Sequence, residues 1–198
     1  MTGDLTARIK ELAKLILDSK KLVVFTGAGI STSSGIPDFR GPDGIWTRKA
    51  KGLATENLDW SLAEPNAGHS AVAELQKLGK LYFLISQNVD NMHLKSGIKP
   101  ELIGELHGNI TKIRCVNCDF TMDSFDDGMN CPVCGGKMKT SVVDFGDPLP
   151  VNTFNTAIEH AGNCDLLLAV GSSLLVNPAA DIPGIALESG AVLVIINN

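Results

Sequence analysis

No apolar run in this chain reaches membrane-spanning length, and the N-terminus has no signal-peptide hydrophobic segment. Both absences predict an intracellular protein, cytoplasmic or nuclear, with no membrane partner. An excess of positive charge is missing too. The net charge is −5, which argues against generic polyanion binding and against direct nucleic-acid contact by this chain. The one basic run, Arg48-Lys49-Ala50-Lys51, is read as a solvated loop. An intracellular setting also excludes a disulfide framework, so the five cysteines are read as metal ligands or free thiols.

A further absence concerns nucleotide binding. The segment Thr26-Gly27-Ala28-Gly29-Ile30-Ser31 directly follows the apolar run Leu22-Val23-Val24-Phe25. A β-branched and aromatic run ending in Gly-x-Gly predicts a buried strand entering a tight turn. There, glycines let the backbone approach a pyrophosphate, and a following helix N-terminus offers N–H groups. Thr32, however, stands where the fingerprint wants its third glycine, and no second strand with a terminal acid follows about 20 residues on. This is a dinucleotide turn without the rest of the dehydrogenase signature.

The chain is long enough, at 198 residues, for one sizeable domain with a small insertion. Ile9, Leu12, Leu15 and Ile16 have helical spacing and predict an amphipathic helix over about 5–19. His69, Val72, Leu75 and Leu78 mark a second helix, closed by Gly79. Further helices are expected near 152–162 and 178–189, and a long irregular loop over 37–65. The runs 22–26, 81–85, 165–170 and 192–196 are apolar throughout. Such strands separated by helices imply an α/β fold, a doubly wound, Rossmann-like parallel sheet covered on both faces. Ligands of such sheets sit beyond the carboxyl ends of the strands. The residues found there are Gly27-Ala28-Gly29, Ser86-Gln87-Asn88-Val89-Asp90, Gly171-Ser172-Ser173 and Asn197-Asn198, all but Val89 small or polar.

Cys115-Val116-Asn117-Cys118 and Cys131-Pro132-Val133-Cys134 form two Cys-x-x-Cys knuckles. Two such knuckles match a tetrahedral thiolate site, best filled by one structural Zn2+; a redox pair or an iron site are the alternatives. Four protein ligands leave no open position for catalysis. An inserted zinc-binding module over 109–140 is therefore expected, inside a nucleotide-binding domain over 1–108 and 141–198. Cys164, alone before a strand, reads as a small core residue.

Other residues have apt chemistry but stay ambiguous alone. His107 follows the alternating Leu102–Leu106 stretch and precedes Gly108. It reads either as a structural histidine or as a general base near neutral pH. Asp90 is a turn cap or a polar anchor for a ligand amide. Arg40 pairs with a phosphate or with Asp38. His69 reads as core or cap, and His93 and His160 as surface residues.

Taken together, these motifs resemble the sirtuins, the NAD-dependent protein deacylases. The resemblance runs from about residue 20 to the end of the chain and rests on six motifs in family order: Gly27-Ala28-Gly29-Ile30-Ser31, Gly35-Ile36-Pro37-Asp38-Phe39-Arg40, Gln87-Asn88-Val89-Asp90, Leu106-His107-Gly108, the four cysteines and Gly171-Ser172-Ser173-Leu174. The wording of Gly41–Trp46 and Val142–Asp147 is most similar to the subgroup containing the vertebrate nuclear members. The resemblance implies NAD as a consumed co-substrate and an acyl-lysine protein or peptide as partner. It implies Ala28, Ser31, Thr32, Phe39 and Arg40 on the phosphate and ribose side of NAD. Gln87, Asn88 and Asp90 would hold the nicotinamide ribose and carboxamide, and Gly171, Ser173 and Asn197 would face adenosine. Gly27, Gly29, Trp46 and Ser172 belong to the same cofactor-binding set. His107, with Asn88, would be catalytic, His107 as the general base. Val143–Gly146 and Leu174–Val176 would flank an extended peptide added as a strand.

Three departures from the family pattern stand out. Asn91 occupies the usual glycine position after the aspartate, and asparagine tolerates positive φ. Asp147 replaces the commoner glutamate of the Phe-Gly-Glu stretch. Family catalytic domains usually continue beyond Asn198, so either this chain is a fragment or its adenine side is unusually open. The alternatives carried beside deacylation are mono-ADP-ribosyl transfer, NAD hydrolysis, and a catalytically weak NAD- or ADP-ribose-binding module. A preference for neutral over succinyl acyl groups is also expected. Sirtuins that remove acidic acyl groups resemble one another in a pocket tyrosine and arginine, and the one tyrosine here, Tyr82, lies in a core strand.

Overall fold

A computed structural model describes residues 4–53, 60–118, 120–123 and 128–197. Residues 54–59 of the expected irregular loop, five residues between the cysteine knuckles and Asn198 lie outside the described residues. The chain runs α1 (Leu5–Asp18), β1 (Leu22–Thr26), α2 (Ile45–Ala50), α3 (Ala67–Lys77), β2 (Leu81–Ser86), α4 (Met92–Lys95), β3 (Ile103–Glu105), β4 (Lys112–Cys115), β5 (Thr121–Asp123), β6 (Met138–Thr140), α5 (Val151–Gly162), β7 (Leu166–Val170), α6 (Ile182–Glu188) and β8 (Val192–Ile196).

Five strands form a parallel sheet in the order β3-β2-β1-β7-β8. All five residues of β1 are buried, as expected for the central strand of a sheet covered on both sides. Alternate residues feed two separate cores. Val23, Phe25, Phe83, Ile85, Leu167 and Ala169 pack with Ala157 and Ala161 of α5 and with Ile182 and Ala186 of α6. Leu22, Val24, Leu84, Leu166 and Leu168 pack with Leu12, Leu15 and Ile16 of α1 and with Val72 and Ala73 of α3. The period-two alternation of a strand thus supplies both faces of a doubly wound sheet. Full burial of one such side chain is worth about 1.5–3 kcal/mol, so the layers are held mainly by these contacts.

The chain moves outward from β1 to β2 and β3, then returns to the other side of β1 with β7. The order reverses there, and a crevice opens at such a switch point. Residues between β3 and α5 build a second, antiparallel sheet in the order β5-β4-β6. It has its own small core of Ile113, Cys115, Cys131 and Met138.

One sequence expectation is corrected, and the helix expected near 178–189 is found. Arg48-Lys49-Ala50-Lys51 is not a loop: it forms the last turn of α2 and its cap. Gly44 opens that helix and Gly52, at φ 69°, follows it, and basic residues suit the negative end of a helix dipole. The 178–189 segment is helical in two pieces, a 3-10 turn over Ala179–Asp181 and then α6.

Candidate active site

The glycines after β1 sit directly against the loop after β7. The Gly27 N–H donates to Val170 O at 3.1 Å, and the Gly29 N–H donates to Gly171 O at 2.8 Å. A Cβ on Gly29 would lie 2.7 Å from Gly171 O, so only glycine permits this approach. The chain continues as a 3-10 helix over Ala28–Ser34. Thr32, in the position of the missing third glycine, donates its hydroxyl to Gly29 O at 2.9 Å.

A cavity of about 590 Å³ opens at this switch point. It is lined by Gly27, Ala28, Gly29, Ser31, Phe39, Arg40, Trp46, Gln87, Asn88, Asp90, His107, Gly171, Ser172, Ser173 and Asn197. Thr32 lines an adjoining cavity that shares Gly29 and Gly171. Ile110, Leu149, Asn177 and Pro178 also line the first cavity. Sequence reading did not single them out, because they follow no strand end and carry no motif.

The floor is a saturated polar cluster. Ser31 Oγ donates to Asp90 Oδ2 at 2.6 Å and accepts from Asn88 Nδ2 at 3.1 Å. His69 completes it. Its Nδ1 accepts the Asn66 N–H at 3.2 Å within a capping box that opens α3. The proton is therefore on Nε2, which faces Ser31 Oγ at 3.3 Å. One donor and two acceptor sites exhaust a hydroxyl. Asp90 Oδ1 accepts the Met92 N–H at 3.0 Å, so Asp90 also caps α4.

His93 is not a surface residue. It is 2% exposed, with Nε2 2.9 Å from Thr26 Oγ1 and its ring edge-on to His69 at 5.0 Å. His160 is half-buried, with its ring stacked 4.0 Å from Phe83. Their helices turn these imidazoles inward, and neither position shows a periodic pattern strong enough to reveal it. Burial lowers the pKa of His93 to about 3, helped by the nearby His69. Burial lowers that of His69 as well, against the opposing charge of Asp90.

His107 stands just past β3, half-buried at the cavity wall. Its Nδ1 is 2.8 Å from Gln87 O. A carbonyl only accepts, so the proton sits on Nδ1 and the Nε2 lone pair is left for the cavity. Burial lowers the pKa of His107 below the ordinary histidine value, and the bond to Gln87 partly offsets this. Gln87 in turn accepts from Ser172 Oγ at 2.7 Å, linking the histidine to the loop after β7. The Val143 N–H donates to His107 O at 2.9 Å. Gly108 has φ 78°, and a Cβ there would fall onto Ser141 O.

Aromatic rings wall the outer side. Phe39 and Trp46 lie 5.2 Å apart, and Trp46 and Phe145 5.3 Å. Arg40 stacks over Trp46 at 4.3 Å and reaches Ser173 Oγ at 3.5 Å. Asp38 instead accepts the Gly41 N–H at 2.9 Å, closing its own turn.

Cys115, Cys118, Cys131 and Cys134 bring their four Sγ atoms within 4.8 Å of one another. The close pairs, 3.5 and 3.7 Å, match the sulfur–sulfur spacing of about 3.8 Å that Zn–S bonds of about 2.3 Å impose on a tetrahedron. The Asn117 and Val133 N–H groups donate to Cys115 and Cys131 Sγ, both at 3.4 Å. The Asn117 contact chiefly lowers the Cys115 pKa, to about 7. The donor set fits one zinc, and none of the four cysteines lines the cavity. Cys164 is buried apart from them.

A family profile described as the Sir2 family matches residues 27–60 and 51–178. The chain is 46% identical to NAD-dependent protein deacetylase SRT1 of Arabidopsis thaliana, over 98% of its own length and 44% of that protein's. It thus spans under half the length of that plant relative. It is 41% identical to NAD-dependent protein deacetylase 1 of Bradyrhizobium diazoefficiens, over all of its own length and 88% of that protein's. Among solved structures, a Sir2 with p53 peptide and NAD+ superposes with a TM-score of 0.75 at 34% identity, covering 96% of this chain and 86% of that one.

Proposed function

Because this chain belongs to the Sir2 family, we propose that it is a NAD-dependent protein lysine deacylase, which transfers the acyl group to ADP-ribose and releases nicotinamide. The observation that carries this reading is the pairing of two features in one cavity. A dinucleotide turn meets the loop after β7, and a histidine with a free Nε2 lines the same cavity.

NAD is a substrate in this reading. Gly27, Ala28, Gly29, Ser31, Phe39, Arg40 and Trp46 hold its phosphates and adjoining ribose, with Thr32 at the adjoining cavity. Gln87, Asn88 and Asp90 orient the nicotinamide ribose and carboxamide; Gly171, Ser172, Ser173 and Asn197 face adenosine. The acyl-lysine amide oxygen attacks C1′ as nicotinamide leaves an oxocarbenium-like ribose. His107 Nε2 then removes a proton from a ribose hydroxyl, which attacks the imidate carbon. Collapse of the resulting tetrahedral carbon expels the lysine amine, and a water molecule adds to the acyl carbon left bridging the two ribose oxygens. NAD, acyl-lysine and water thus become free lysine, nicotinamide and O-acyl-ADP-ribose. No hydride moves, which accounts for the incomplete dehydrogenase fingerprint. The four cysteines hold zinc that has no open position for substrate, so its contribution is to the fold of the 109–140 module.

The acyl group is neutral and aliphatic. Phe39, Val89, Val143 and Phe145 line the cavity, and no tyrosine does among the described residues. Tyr82 packs instead against His160. Arg40 is engaged with Trp46 and Ser173. A succinyl carboxylate would be buried without paired donors, at a cost of several kcal/mol. Rates on one peptide carrying acetyl-, myristoyl- or succinyl-lysine test this. Acetyl or myristoyl removal should be fastest; faster succinyl removal overturns the assignment.

A further inference from the structure

Behind His107 lies a polar residue that touches nothing in the cavity. Asn109 is fully buried, and all four hydrogen-bonding sites of its amide are filled. Nδ2 donates to Asn91 Oδ1 at 2.9 Å and to Glu105 Oε1 at 2.6 Å. Oδ1 accepts from the N–H and the hydroxyl of Thr111, both at 2.9 Å. Its backbone is held as well: the N–H donates to Ser141 Oγ at 2.9 Å, and the carbonyl accepts from that hydroxyl at 2.8 Å. Glu105 in turn takes Lys112 Nζ at 2.8 Å on its other oxygen.

These partners come from four places. Glu105 ends β3, two residues before His107. Asn91 follows Asp90 in the turn that supplies Gln87 and Asn88. Lys112 opens β4, and Ser141 follows β6. Asn91 takes the left-handed conformation, φ 65°, and its side chain does not cap α4. Where the family usually has glycine, this chain has an asparagine whose carbonyl is spent on Asn109.

We propose that Asn109 is a positioning residue: it fixes the separation between the His107 segment and the 88–91 turn and ties both to the base of the cysteine module. The observation behind the proposal is that one saturated side-chain amide bridges Asn91, Glu105 and Thr111, while the backbone of the same residue holds Ser141. A buried amide with four matched partners cannot shift without leaving a polar group unpaired, so the spacing it sets is stiff. The inference rests on the reading of His107 and Asn88 as catalytic.

Asn109→Asp tests it. The variant keeps the shape and the Thr111 contacts but turns both donors into acceptors, setting a carboxylate against Glu105 and Asn91. With zinc content and fold equal to wild type, kcat should fall about ten- to a hundredfold while KM for NAD stays within about twofold, as expected when reacting groups are misplaced rather than lost. Adding Glu105→Gln restores a donor opposite the new carboxylate and should recover part of kcat. Asn91→Gly, which keeps the backbone conformation and deletes one acceptor, should lower kcat by a smaller factor. Wild-type kcat in Asn109→Asp would overturn the proposal. So would a loss shared by kcat and KM that Glu105→Gln fails to rescue. If Asn109→Asp does not fold, Asn91→Gly decides alone, and an unchanged kcat there overturns it. A wild-type protein that removes no acyl group fails the deacylase reading instead, and is scored before any variant is compared.

Discussion

The Nδ1 of His107 bonds to a backbone carbonyl, and that single contact fixes the tautomer that leaves Nε2 basic. Replacing His107 with alanine removes the proposed base and leaves the Val143–His107 backbone bond in place. The variant should fold normally and lose about two to four orders of magnitude in deacylation rate. Because burial lowers the His107 pKa, the acid limb of kcat/KM should lie below pH 6.5. A folded variant with wild-type turnover would remove His107 from the mechanism. His93 makes a separate prediction about stability. In the unfolded chain it protonates near 6.5, and in the fold only near 3. Between those values the unfolded state binds more protons, so stability falls as pH drops through 6.5 toward 3, by up to about 1.4 kcal/mol per pH unit for this group. Thermal unfolding between pH 7 and 5 should show this slope, and His93→Gln should flatten it. An unchanged slope would mean that the buried imidazole titrates normally.

At the scale of elements, the periodic features were the legible ones. Leu12, Leu15 and Ile16 marked α1, and the unbroken apolar runs marked β1, β2, β7 and β8, because burial on one face or two writes directly into residue type. The gathering of the strand ends into one crevice followed from the parallel order. The inward imidazoles were not legible: His93 lies on a helix of four residues, His160 sits beside the Phe154, Ala157 and Ala161 stripe of α5 and not in it, and their burial depends on packing against Thr26 and Phe83. Asn109 was equally silent, since its partners are distant along the chain or carry no pattern. The cysteine knuckles were legible in spacing, and the structure adds the small sheet they hold. Cys118→Ser or Cys131→Ser should release zinc, speed amide hydrogen exchange over 112–140 and lower activity indirectly, since metal binding supplies much of a small module's folding energy. Carefully prepared wild-type protein without zinc by elemental analysis would count against this.

At the scale of the whole molecule, the fold places a cofactor-type turn, a polar floor and a base around one cavity, and keeps the metal-type cluster apart from it. That arrangement suits cleavage of a glycosidic bond followed by transfer to a group held beside it. Cleavage alone would also serve NAD hydrolysis or ADP-ribosyl transfer, and only the fate of the acyl group separates the three. The most direct measurement is mass spectrometry of the products formed from NAD and an acetyl-lysine peptide. The account predicts deacetylated peptide, nicotinamide and O-acetyl-ADP-ribose in equal amounts. Free ADP-ribose beside an intact acetyl-lysine, or a peptide carrying ADP-ribose, would contradict it.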